Sequence, residues 1–345
     1  MNQHIVLRIG VTLAAAAWTL PALAQTVYTW DGDVSDAWTV AANWQLSGGA
    51  DPPGPPDSTI RVEISTSAGN TPRVDVGDAA LAGEVRIGRG AGAGVLTIAG
   101  GTLTVSANRF RVGADGTDGN LGTLEMTGGT LSTAFSLVTG SNSRGQINMS
   151  GGLIEVTGSG QDFNMDETQP TAGSNLAMSG GAITIVDVFL VDQTATVNMS
   201  GGSIVSQGDL RIRRDAVVTV TGGLLETKDG LELGSGATPG GSLFVNGGIV
   251  RAAKLDAVPG PTGFAEVNGA GLLQFLNSLE SIAAVQGYIG SGYITTSGPG
   301  LLVSIVDVSG VPYTQVSAIP EPATATLASL CGLMLVGAAR RRKFA

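Results

Sequence analysis

The sequence predicts an all-β fold, a parallel β-helix of about eight coils. Three observations predict it: a Gly-Gly motif recurring at intervals in the twenties, apolar/polar alternation on both sides of it, and a further short apolar segment before each copy. The elements expected around this rod are a signal peptide over 1–24, a Trp-rich cap with a Pro-rich linker over 25–58 and repeats over 59–270. An α/β cap over 271–318 and a tail over 319–345, with one membrane-spanning segment at 323–339, complete the chain.

The first 24 residues carry a basic start at Arg8, an apolar stretch from Ile9 to Leu20, and Ala22-Leu23-Ala24 before Gln25. This is the layout of a secretory leader cleaved between Ala24 and Gln25, and it implies delivery by the Sec route. The next segment, TVYTWDGDVSDAWTVAANWQ, holds Trp30, Trp38 and Trp44, three of the four tryptophans. Exposed, such rings would stack on sugars; buried, they would plug the open end of a stack. The plug is the plainer reading.

The repeat reads VLTIAGGTLTV, LEMTGGTLS, INMSGGLIEV, LAMSGGAITI, VNMSGGSIV, VTVTGGLLET and LFVNGGIVRA, with a degenerate AEVNGAGLLQF from 265. First glycines at 100, 128, 151, 180, 201, 222 and 247 set steps of 28, 23, 29, 21, 21 and 25. A fixed motif with variable spacing confines insertions to loops. Alternation puts Met149 and Met199 inward and Asn148 and Asn198 outward, and Gly-Gly turns a corner between two short strands. Asn148 and Asn198 also fit a glycosylation triplet, which the repeat itself explains. The third segment is VRIG (85), FRVG (110), FSLV (135), FNMD (163), FLVD (189), LRIR (210) and LELG (231), so each coil offers three strands. After the repeats, Asn277 with Glu280 three residues on marks a helix start, and LLVSIVDV and YTQVSAI read as strands.

Composition excludes much chemistry. The chain has 53 Gly, 13% charged residues and net charge -10. Between residues 25 and 318 stand 13 basic and 27 acidic groups, a balance that repels phosphate backbones and argues against a nucleic-acid partner. The one His, His4, and the one Cys, Cys331, lie outside that body, which removes Ser-His-Asp and Cys-His catalysis and most zinc sites there. No catalytic residue, cofactor or metal is expected.

The remaining candidates are carboxylates. Asp166 and Asp192 align in successive coils, with Arg213 next, and their counterparts in the flanking coils are read as Val138 and Gly234. One rung of separation would suit a glycosidase pair or a calcium or glycan site, whereas an exposed turn with incidental acids is the plainer reading. Asp115, Asp118 and Asn120 fit a Gly/Asp turn, GRGAGAG at 88–94 lacks the Lys-Ser/Thr of a phosphate loop, and Arg211, Arg213 and Arg214 with Asp209 and Asp215 form a mixed-charge face.

The tail reads AIPEPATATLASLCGLMLVGAARRRKFA. Pro320-Glu321-Pro322, an apolar run over 323–339, then Arg340, Arg341, Arg342 and Lys343 resemble the PEP-CTERM sorting signal of Gram-negative bacteria. The W-x-G … W … N-W opening is similar to that of many PEP-CTERM and autotransporter-like surface proteins. The resemblance implies an exosortase as partner, initial anchoring in the inner membrane, and a destination in the cell envelope or on the outer surface among extracellular polysaccharide. A structural or adhesive rod is the expectation, and a β-helical polysaccharide lyase or hydrolase acting through Asp166 and Asp192 is the alternative.

Overall fold

Alternating side chains make each repeat a set of short strands with one apolar and one polar face, and winding them into stacked coils is the way such strands bury the apolar face. A computed structural model describes residues 25–65, 70–89, 92–114, 120–166, 173–234, 239–256 and 263–320. From Arg61–Ile64 to Leu272–Leu276 the strands run in nine groups of three, and each joins the equivalent strand of the next group in parallel. They build three sheets of eleven, ten and eleven strands. Phe189–Val191, Thr196–Met199 and Ser203–Ser206 make one such turn, and Leu210–Ile212, Val217–Val220 and Leu224–Thr227 make the next. These belong to sheets one, two and three in that order. The opening turn, Arg61–Ile64, Arg73–Val74 and Ala79–Ala82, lacks a Gly-Gly pair, which is why the motif does not reveal it.

The core is a column of rungs. Phe110, Leu137, Phe163, Phe189 and Leu210 succeed one another in sheet one, Met126, Met149, Met178 and Met199 in sheet two, and Leu131, Ile154, Ile183 and Ile204 in sheet three, all essentially inaccessible to water. Phe163 and Phe189 stack with ring centroids 5.0 Å apart. Asn148 and Asn198 face outward, as alternation requires. The second glycine of each pair from Gly129 to Gly248 has positive φ; at Gly202 (φ 79°) an added Cβ would stand 2.6 Å from the Gly181 carbonyl oxygen.

One segment differs from its expected register. Leu137, not Phe135, faces Phe110 and Phe163, so FSLV is displaced by two residues. A slip of two preserves which side chains point inward, and periodicity cannot detect it. The counterpart of Asp166 is therefore Gly140 and not Val138.

Both ends are closed. Val27–Trp30 pairs antiparallel with Trp44–Leu46 and parallel with Arg61–Ile64, which extends sheet one past the first turn. Trp30, Trp38 and Trp44 are buried, with both ring contacts edge-to-face at 4.8 Å, so they plug the stack and offer no ring face to a sugar. The buried Asn43 side chain accepts from the amides of Val34 and Ser35 and donates to the Ala37 carbonyl, shaping the loop between them. Gln25 donates to the Thr59 carbonyl at 3.2 Å.

At the other end the stack runs on through Leu276, beyond the expected boundary at 270. Helix α1 (Ile282–Gly290) follows, but its N-cap is Ser281, whose Oγ accepts from the Ala284 amide. Asn277 accepts instead from the Thr314 hydroxyl at 2.9 Å, and Glu280 accepts from the Leu255 amide and the Tyr288 hydroxyl. Burial, with Glu280 beside it, pushes the Tyr288 phenol up to about 12. A hairpin of Leu301–Val308 and Val311–Ala318 then completes sheet three. Among the described residues no helix is long and apolar enough to cross a membrane. Ala22, Ala24, Glu321, Pro322, Arg340 to Lys343 and the segment 323–339 lie outside the described residues, and Pro320 is exposed at their edge.

Candidate functional site

Sheet two carries a groove of about 460 Å³ across five turns. Its strands are Leu121–Met126, Arg144–Met149, Asn175–Met178, Thr196–Met199 and Val217–Val220. Parallel register fixes which residues line up: Glu125, Asn148, Ala177, Asn198 and Thr219 make one outward row. One residue past the inward methionine, Thr127, Ser150, Ser179, Ser200 and Thr221 make a second row. Strand pairing spaces the members of each row by about 4.8 Å. Ala177 has no polar reach, so the surface dips between Asn148 and Asn198.

Apart from Glu125 the rows are uncharged, and they are internally bonded. Asn148 donates to Glu125 at 2.7 Å and accepts from Gln146 at 2.9 Å. Ser200 and Thr221 donate to the carbonyls of Met178 and Met199 one turn below, at 3.4 and 3.3 Å. Each hydroxyl oxygen is left as an acceptor on the outside. Among the described residues Glu125 is the one carboxylate lining the groove. Such a surface can bind a hydroxyl-rich repeating chain, but it places no second acid for proton transfer.

Sheet one has the opposite character. Glu84, 1% exposed, pairs with Arg86 at 2.8 Å and Arg111 at 3.5 Å, and Glu63 pairs with Arg61 and Arg89. At the far end Arg211 bridges Asp209 at 2.7 Å and Glu232 at 3.1 Å, while Arg213 is held by Glu232. The mixed-charge face expected there is a paired ladder, and Asp215 stands exposed next to it.

Asp166 and Asp192 do sit in successive turns at the exit of sheet one: the Asp192 amide donates to the Met165 carbonyl at 3.2 Å. They are not an open pair. Asp166 is buried at φ 55°, and both of its oxygens accept from the Ser174 amide, at 3.2 and 3.1 Å. Burial pushes this carboxyl above the usual range, against the Ser174 hydrogen bonds, and Asp192 adds to the rise. Asp192 is 6% exposed, accepts from the Gln193 amide at 2.7 Å and pairs with Arg214, the neighbour of the expected Arg213. Asp115 and Asp118 lie outside the described residues, as do Gly90 and Ala91 of GRGAGAG.

Alignment missed one cluster. Asp209, Asp229 and Asp256 bring carboxylate oxygens within 4.8 Å of one another at the corner from sheet three to sheet one. Arg211 engages Asp209, and Lys254 engages Asp256 at 2.9 Å and Asp229 at 3.6 Å, so two cations of the chain itself offset part of the cluster's charge and engage all three carboxylates. The groove was also missed: its rows were visible as N-M-S-G-G, yet the dip depends on Ala177 standing between two asparagines in neighbouring turns. Comparison with known proteins returns no match, whether to a family model, a curated protein or a solved structure.

Proposed function

We propose that this chain is an exported, non-enzymatic rod of the cell envelope or extracellular matrix, which lays its second sheet along a neutral polysaccharide. The observation that carries the reading is the double row of Ser, Thr and Asn side chains spanning five turns with one carboxylate among them. A hydroxyl-rich polymer exchanges hydrogen bonds with such rows at little desolvation cost, while the net charge of -10 disfavours acidic polymers. The leader before Gln25 and the Pro320-Glu321-Pro322 tail with its apolar run and basic end support export, transient membrane anchoring and exosortase sorting. The lyase or hydrolase alternative draws no support from Asp166 and Asp192, since one is sealed and the other ion-paired.

The test is retention of the purified chain on cellulose, starch and dextran beside acidic alginate. A neutral polymer should retain it, and Ala177→Trp, which fills the dip, should weaken retention roughly tenfold without lowering the melting temperature. Retention by none of them, or retention unchanged in Ala177→Trp, overturns the glycan reading. Envelope fractionation tests export separately, with mature protein expected to begin at Gln25.

A further inference from the structure

The hairpin that completes sheet three leaves an unusual end. The other terminal strands of the three sheets are short: Trp44–Leu46, Arg73–Val74, Ala79–Ala82, Lys254–Leu255 and Ile294–Thr295. Short edges are one way a sheet avoids pairing with other chains. Leu301–Val308 has eight residues, LLVSIVDV, with no Lys, Arg or Pro, and among the described residues no strand pairs with its outer edge. Leu302 and Ile305 are 56% and 54% exposed.

The direction of its backbone groups follows from its partner. Ile319 donates to the Gly300 carbonyl, and the Pro312 carbonyl accepts from Asn277 on the far side, away from its opposite number Asp307. Even-numbered residues of the strand therefore bond inward to Val311–Ala318, and Leu301, Val303, Ile305 and Asp307 aim their N–H and C=O groups outward. Four such residues form an unmet ladder.

We infer that this edge pairs with the same edge of a second copy, antiparallel and centred on Ser304. A two-fold axis through Ser304 sets Val303 opposite Ile305 of the second copy and Leu301 opposite Asp307, and it engages every outward-facing residue. It also carries Leu302 over Val306 on the other face. Charge selects the occupant and direction: Asp307 is the strand's one charged residue and lies at one end, so antiparallel pairing keeps the two carboxylates at opposite ends of the ribbon. A parallel pair in register would stack them. The two rods would join tail to tail with sheet three continuous through both.

Ser304 bonds inward, so the Ser304–Ser304 contact is a non-hydrogen-bonded antiparallel pair, with Cα atoms about 4.5 Å apart and within disulfide reach. In the full chain carrying Cys331→Ser, Ser304→Cys should give a covalent dimer on mild oxidation. Val308→Cys in the same background should not, because its two copies would lie at opposite ends. Val303→Pro removes an outward N–H, and Ile305→Lys adds charge facing the partner; each should lower the Ser304→Cys dimer yield roughly tenfold. Circular dichroism identifies any variant that has lost the rod, and the other then decides. No dimer at Ser304, equal crosslinking at Val308, or full yield in a folded edge variant overturns the pairing. Dimers held through the tail alone, or an edge covered by the chain's own tail, would give one of these results.

Discussion

The corner that leaves sheet two and the corner that leaves sheet one do the same geometric work with different residues. Leaving sheet two, Gly129, Gly152, Gly181, Gly202, Gly223 and Gly248 take positive φ turn after turn. Leaving sheet one, the left-handed residue is Gly88, Gly113 or Gly140 in some turns and Asp166, Gln193 or Arg214 in others. Crowding explains the first: a Cβ on Gly202 would meet the Gly181 carbonyl and the Met178 methyl, both at 2.6 Å. The second corner is as crowded where it holds glycine, since a Cβ on Gly88 would stand 2.5 Å from the Gly122 amide nitrogen and one on Gly113 2.4 Å from the Arg144 carbonyl oxygen. In later turns, however, it admits a side chain that makes contacts, as Asp166 does with Ser174 and Arg214 with Asp192. One corner is a steric requirement, and the other is a place where chemistry varies.

The largest effect should come from attacking the crowded corner. Gly202→Val combines a β-branched residue at φ 79° with two close contacts, and we expect a loss of about 3 kcal/mol or more in urea unfolding. A loss below about 1 kcal/mol would mean that the corner can open and that crowding does not explain the repeat.

This contrast also decides what could be read from the residues alone. Gly-Gly with its flanking alternation was legible because packing permits nothing else there, and the inward Met149 and Met199 followed from it. The tryptophan plug was legible because large aromatic residues concentrate before the first turn. The displacement of FSLV was not, because Leu137 and Phe135 are both apolar and share parity. Nor was the helix cap: Asn277 and Ser281 are both good capping residues, and Thr314, distant in sequence, claims Asn277. The sealing of Asp166 depends on Ser174, eight residues on, across an insertion of turn-specific length.

The two faces should differ next. Glu84 on sheet one holds two arginines that are themselves 13% and 18% exposed, and Glu84→Ala leaves both without that carboxylate. We expect a cost of about 3 kcal/mol. Asn198 on sheet two makes one exposed contact of 3.5 Å, and Asn198→Ala should cost less than about 1 kcal/mol. Equal costs in chemical denaturation would erase the distinction between the ion-paired face of sheet one and the face of sheet two proposed to meet a glycan.

Asp166 gives the variable corner a pH signature. Burial raises its carboxyl above the unfolded value, so between the two values the folded chain holds the extra proton, and stability falls as pH rises through that window. Asp166→Asn removes the titration, keeps an oxygen for the Ser174 amide and tolerates φ 55°. The variant should melt above the parent at neutral pH, with the gap closing on acidification below the ordinary carboxylate range. A gap that widens in acid would reverse the sign and mark Asp166 as a stabilising anion.

Gln193→Gly should have the smallest effect and is the sharpest control on the comparison. Gln193 stands at φ 55°, where a side chain costs about 1 kcal/mol that glycine avoids, while glycine adds about as much freedom to the unfolded chain. The hydrogen bond to Asp192 comes from the Gln193 backbone amide and survives the change. The two terms nearly cancel, so the unfolding free energy should move by less than about 1 kcal/mol. A loss comparable to that of Gly202→Val would show that sheet one's corner is as tightly specified as its neighbour, through the side chain instead of its absence.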